Sequence, residues 1–117
     1  MSNVASTTVF SAQNMNANAN SSAVDASQLN HLSFQAVWSV ATGTIDGTCK
    51  LQFSNEATPT NWTDEPSTTF TFSGAAGSNV LEVPLAADLK PKHRWYRLAY
   101  TKTGITGGSL TATGYSR

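Results

Sequence analysis

The residues of this chain that could carry chemistry are few. It offers two histidines (His31 and His93), one cysteine (Cys49) and seven carboxylates for proton transfer, nucleophilic attack or metal ligation. Nucleophilic catalysis needs a Ser, Thr or Cys beside a base that takes its proton, normally a His. His31 opens an apolar stretch beside Leu32. His93 lies in the run Lys90-Pro91-Lys92-His93-Arg94, where neighbouring positive charge disfavours its protonated form. Both read as strand-end or surface residues. Cys49 alternates with Leu51 and Phe53, which makes it a small buried hydrophobe rather than a reactive thiolate. A single cysteine cannot form an intrachain disulfide, and with two histidines it is too few for a Cys/His zinc site. The chain is therefore read as non-enzymatic, with no catalytic residue, cofactor or metal expected.

Two other stretches carry binding chemistry. In Asn61-Trp62-Thr63-Asp64-Glu65 two carboxylates adjoin a tryptophan. Glycoside hydrolysis needs carboxylates facing each other across a cleft, which adjacent residues of one loop do not provide. Sugar binding asks less, only an aromatic face with polar groups beside it, and Trp62 with Asn61 and Asp64 could supply that. The competing reading has Trp62 folding back to cap the domain. Asn55, Glu56, Asn61, Asp64 and Glu65 also gather oxygen ligands, but their spacing matches no calcium loop, and a solvated loop is preferred. The second stretch, Lys90 to Arg97, interleaves bases with aromatics, as binders of single-stranded nucleic acid do. Trp95 and Tyr96 are consecutive, however, and in a strand they face opposite ways. With a formal net charge of zero as well, nucleic acid is not an expected partner.

Charge is scarce and segregated along the chain. Only 12% of the 117 residues are charged, about half the usual share. All seven acids precede residue 89, and six of the seven bases (Lys90, Lys92, Arg94, Arg97, Lys102 and Arg117) follow it. Neighbouring strands could neutralise each other within one domain, or adjacent subunits could meet through complementary charge. A polar but uncharged surface loses little desolvation energy when another protein covers it, which suits a subunit of an assembly. No basic segment followed by an apolar run is present and no apolar run is long enough to span a membrane, so neither export nor a membrane partner is expected.

The elements that must position these residues are strands. Ser33 to Val40 alternates, with Phe34, Ala36, Trp38 and Val40 on one face. The Asp46-Gly47 turn pair leads into Thr48 to Ser54, and Thr68 to Ser73 follows a polar loop. Gly74 to Ser78 is expected to turn the chain before a short strand at Val80 to Leu85. His93 to Thr101 is apolar on both faces, as a central strand should be, and Ser109 to Tyr115 closes the pattern. These features predict an all-β chain of about six to eight short strands, an antiparallel β-sandwich of jelly-roll-like form spanning residues 31–117. Residues 1–30 are rich in Asn, Ala and Ser, and contain one strand-like piece around Val9 and Phe10. They are either an extended arm that orders on a neighbouring subunit or an edge strand and loop of the parent domain. Under the arm reading, deleting residues 1–25 leaves the sandwich folded.

Three stretches carry a likeness to known proteins. They are Ser33-Phe34-Gln35-Ala36-Val37-Trp38, then Leu51-Gln52-Phe53-Ser54-Asn55 with Asn61-Trp62-Thr63-Asp64, then Arg94 to Thr101 running into Gly107-Gly108-Ser109-Leu110. In this order the chain resembles small structural proteins of tailed bacteriophages, departing from them at Asn55 to Thr60, where a tighter turn is usual. The resemblance spans nearly the whole chain and implies a virion component, such as a capsid decoration, cement or minor capsid protein. Such a protein forms homo-oligomers, contacts other virion proteins, and is assembled in the bacterial host cytoplasm. The contact residues expected here are Val9 and Phe10 of the N-terminal segment and Lys90, Lys92, Arg94, Arg97 and Lys102. The alternative is a carbohydrate-binding or host-adhesion module of a tail or head fibre, with a host surface glycan held at Asn61, Trp62 and Asp64.

Overall fold

Strand alternation and turn chemistry resolve, in a computed structural model describing residues 4–117, into ten strands. They are β1 (Ala5–Asn14), β2 (Ala19–Asn20), β3 (Val24–Asp25), β4 (Leu32–Gly43), β5 (Thr48–Ser54), β6 (Thr63–Asp64), β7 (Phe70–Thr71), β8 (Ala76–Glu82), β9 (Trp95–Thr101) and β10 (Ile105–Ser116). Every pairing is antiparallel. The first sheet runs β1-β10-β4-β8. The second has β9 and β5 at its centre, with β2 and β3 along one edge and β6 and β7 along the other. Since β2 and β3 pair with successive parts of β9, they are one interrupted edge strand, and β6 and β7 stand in the same relation to β5. Counted this way the chain has eight strands in the orders 1-8-3-6 and 2-7-4-5, the arrangement of a jelly roll. The expected sandwich is therefore present.

The core lies between the sheets and follows the alternation read from the sequence. Phe34, Ala36 and Trp38 of β4 face Cys49 and Leu51 of β5 and Tyr96, Leu98 and Tyr100 of β9, all buried. Phe72 joins the layers, meeting Trp38 edge-on at 4.9 Å and Tyr100 at 5.5 Å. Burial of each large side chain contributes about 1.5–3 kcal/mol. Gly47 makes the β4–β5 turn possible. Its φ of 93° is costly for any residue with a Cβ, and its carbonyl accepts the Phe72 amide at 3.2 Å. Beside it the Asp46 carboxylate accepts the Gly104 amide, which ties this turn to the β9–β10 turn.

The N-terminal segment belongs to the same domain. β1 pairs along β10 from Ala5 opposite Ser116 to Asn14 opposite Ser109. The register slips between Thr8 and Phe10 and again between Phe10 and Gln13, and Ala12 has φ 47°. A bulge sets two residues of one strand against one of its partner, and here the consecutive Val9 and Phe10 are both buried, at 5% and 2% exposure. Met15 is fully buried, and its carbonyl accepts the Tyr100 hydroxyl at 2.8 Å. Within this single chain the segment forms an edge strand and loop, pairing with β10 and β9. Val9 and Phe10 are core residues and offer no surface to a neighbour. Residues 1–3 of the expected arm lie outside the described residues.

The first sheet has a second unexpected property. β1, β4, β8 and β10 are ten, twelve, seven and twelve residues long, yet Glu82 is the one charged residue in them. Its outer face carries Val37 and Val80, 47% and 52% exposed, among Ser, Thr and Gln side chains. β8 begins at Ala76, so the turn expected over Gly74 to Ser78 is shorter than predicted.

Candidate functional site

The outer face of the second sheet holds the residues singled out for binding. Register places them in one row. Arg97 of β9 lies opposite Gln52 of β5, which lies opposite Asp64 of β6. Cross-strand partners on one face sit close enough for their side chains to meet, and these do. Arg97 Nε donates to Gln52 Oε1 at 2.9 Å, and Gln52 Nε2 donates to Asp64 Oδ1 at 2.9 Å. Lys50 Nζ reaches Asp64 Oδ2 at 2.8 Å. The Arg97 guanidinium lies over the Trp62 ring, 4.3 Å from its centroid, in the geometry of a cation–π contact. Hydrogen bonds from Lys50 and then Gln52 hold the Asp64 carboxyl below its usual range, and the Lys50 charge adds to this. The structure thus brings Trp62 and Asp64 together with Arg97, and recruits Lys50 and Gln52, which the sequence does not single out. Their alternation with Cys49 and Leu51 is visible in the sequence, but the partner strand is not. Asn61 lies apart from the row and donates to Glu56.

The loop before this row is organised by Glu56. Its carboxylate accepts the Asn61 amide at 2.6 Å and the Thr60 amide at 2.9 Å, and these bonds pull its pKa down to about 2. The oxygens considered for calcium therefore do not converge. Glu56 closes its own loop and Asp64 binds Lys50 and Gln52. No group of three His, Cys, Asp or Glu residues is placed to share a metal among the described residues.

Next to that loop, His93 stacks on Phe53 with centroids 3.6 Å apart and planes 4° from parallel. Asn55 Nδ2 lies 2.9 Å from His93 Nδ1, and its Oδ1 accepts the Arg94 amide at 3.0 Å. With Nδ1 as acceptor, Nε2 carries the proton and points toward Glu65 Oε2, 4.0 Å away and beyond hydrogen-bond range. Burial lowers the His93 pKa first and the Lys92 charge lowers it further, against an opposing pull from Glu65. Sequence reasoning names only the neighbouring charge.

The expected basic contacts do not form one surface. Lys90 and Arg94 line a cleft of about 290 Å³ together with His93, Asp88, Ala26 and Leu29. Lys92 is exposed nearby, Arg97 is in the polar row, and Lys102 sits beyond the opposite end of β9. Charge segregation along the chain is also not segregation in space, because the acidic loop at Glu56 to Glu65 packs beside the basic stretch through Asn55, and Trp95 Nε1 donates to the Glu56 carbonyl at 3.0 Å. Even so, Lys50–Asp64 is the one Lys–carboxylate ion pair among the described residues. Asp25, Glu56 and Asp88 instead accept from backbone amides of their own loops.

Comparison with protein-family models, with curated proteins and with solved structures finds no match to this chain.

Proposed function

We propose that this protein is a structural subunit of a tailed-bacteriophage virion, of the decoration, cement or minor-capsid kind, acting by covering and joining surfaces rather than by catalysis. The observation that carries this reading is the broad outer face of the first sheet, whose four strands contain one charged residue. The buried centres of protein interfaces are depleted in charge in the same way. A jelly roll is also an architecture that viral shells use, though on its own that is analogy at the level of fold. Quantitative mass spectrometry of density-purified particles of the encoding phage tests the proposal. The chain is expected at a fixed copy number per particle, and its absence from clean particles rejects the reading.

A second reading has its own observation. The row Trp62, Arg97, Gln52, Asp64 and Lys50 places an indole beside a line of hydrogen-bonding groups, the equipment of a glycan-binding face. For a host-adhesion module, Trp62→Ala should abolish retention on host-surface glycans at unchanged melting temperature. Retention equal to that of the parent chain excludes a site at this row.

A further inference from the structure

Four sheet edges are available to a partner, and three of them are spoiled. The β2/β3 and β6/β7 edges are broken into two-residue pieces, and β1 carries two register shifts and a residue at positive φ. Interruptions and bulges of this kind are the usual protection of edges against pairing with another chain. β8 has none of them. Its seven residues pair with β4 in unbroken register from Glu82 opposite Ser33 to Ala76 opposite Ser39, with no Pro, no Lys and one charge at its end.

The direction of its backbone groups follows from three hydrogen bonds. The Ala75 carbonyl accepts from Val40, and the Val83 amide donates to Leu32, so the odd-numbered residues turn their backbone groups toward β4. The Val80 amide instead donates to the Asn79 side chain at 2.9 Å. The even-numbered residues Ala76, Ser78, Val80 and Glu82 therefore direct N–H and C=O away from the sheet, and all four are exposed.

We infer that β8 is a self-association edge, pairing antiparallel with β8 of a second copy about a two-fold axis at Asn79. In that register Ser78 meets Val80 of the other chain, and Ala76 meets Glu82. All four outward residues of each chain are then paired, and the single charge of each strand lies opposite a methyl group rather than its own copy. The Asn79 side chain releases the Val80 amide as the second strand docks. The first sheet becomes continuous across the dimer, and the two charge-poor outer faces merge into one. A second copy is favoured over an unrelated strand because this register leaves no like charges opposed and no outward group unpaired. The contact does not depend on the virion reading.

The test combines light scattering over a concentration series with Ser78→Pro. Proline at this position removes an N–H that β4 does not use, and edge strands tolerate it there. The residue before it, Gly77, is already in a strand, the conformation that proline requires of its predecessor. The parent chain is expected at twice its 12.4 kDa mass or in a larger multiple, and Ser78→Pro at a lower mass with an unchanged far-UV spectrum. A parent chain that stays monomeric at every concentration overturns the inference, as does a folded Ser78→Pro protein of unchanged mass. Should the variant fail to fold, amide exchange on the parent chain decides the matter. Exchange at Ala76, Ser78 and Glu82 should slow by roughly tenfold or more as concentration rises, while Gly77, bonded to β4, stays constant. Equal rates at low and high concentration count against the edge. A monomer that is nonetheless found in particles would reject this contact and leave the virion proposal standing.

Discussion

His93 shows how one side chain reports its surroundings. Stacked on Phe53 and partly buried, it is held neutral, with its pKa below the ordinary value of 6.5. The unfolded chain therefore binds this proton more readily than the folded one. The stability His93 contributes is fully present above pH 6.5 and falls away as pH drops from there through the depressed folded value. Urea denaturation at pH 7.5 and at pH 5.5 should show a loss of stability on acidification, and His93→Phe should reduce that loss. Cys49 makes a simpler case. Burial drives its thiol up to about 12, and the residue has no exposed surface. A thiol reagent at pH 8 should leave the native chain unmodified and label it fully in denaturant. Rapid labelling of the native protein would mean that the sandwich opens near β5.

At the level of elements, legibility in the sequence follows regularity. β4 and β5 alternate cleanly, as does β10 from Leu110 onward, and that alternation by itself puts Phe34, Trp38, Leu51 and Leu110 on the core face, where all four are buried. β1 is ambiguous for a physical reason. Two register shifts and the turn of backbone at Ala12 break its period, so the adjacent Val9 and Phe10, both buried, look like a fragment rather than a strand. The row on the second sheet is hidden for another reason. It depends on which strands are neighbours, and Gln52 gains meaning only between Arg97 and Asp64. Deletion of residues 1–25 now has a different expected outcome from the one an arm implies. It removes Val9, Phe10 and Met15 from the core, at about 1.5–3 kcal/mol each, from a domain whose whole stability is of order 5–15 kcal/mol. It also exposes the length of β10. The truncated chain should lack a cooperative melting transition, whereas a sharp transition near that of the parent would restore the arm reading.

Taken as one body, the molecule divides its polarity between its two broad faces. The outer side of the second sheet carries the ordered ionic row, and the outer side of the first is nearly charge-free. Salt should therefore affect association weakly, because little charge is screened at the face proposed to be covered. Sedimentation in 0.05 M and 0.5 M NaCl should give similar assembly midpoints, and a steep salt dependence would shift attention to Lys90 and Arg94. The strand order has a further consequence, for synthesis. β10 lies between β1 and β4, so the middle of the first sheet is filled by the last of the ten strands to leave the ribosome. Until it emerges, β1 and β4 have no strand to join them, and a nascent chain ending near Gly104 exposes the apolar sides of both. Contacts between strands so far apart in sequence also close slowly, because the intervening chain must be ordered first. This domain should complete its fold only once β10 is available, and through that interval its exposed apolar strands make the nascent chain a natural client for a chaperone.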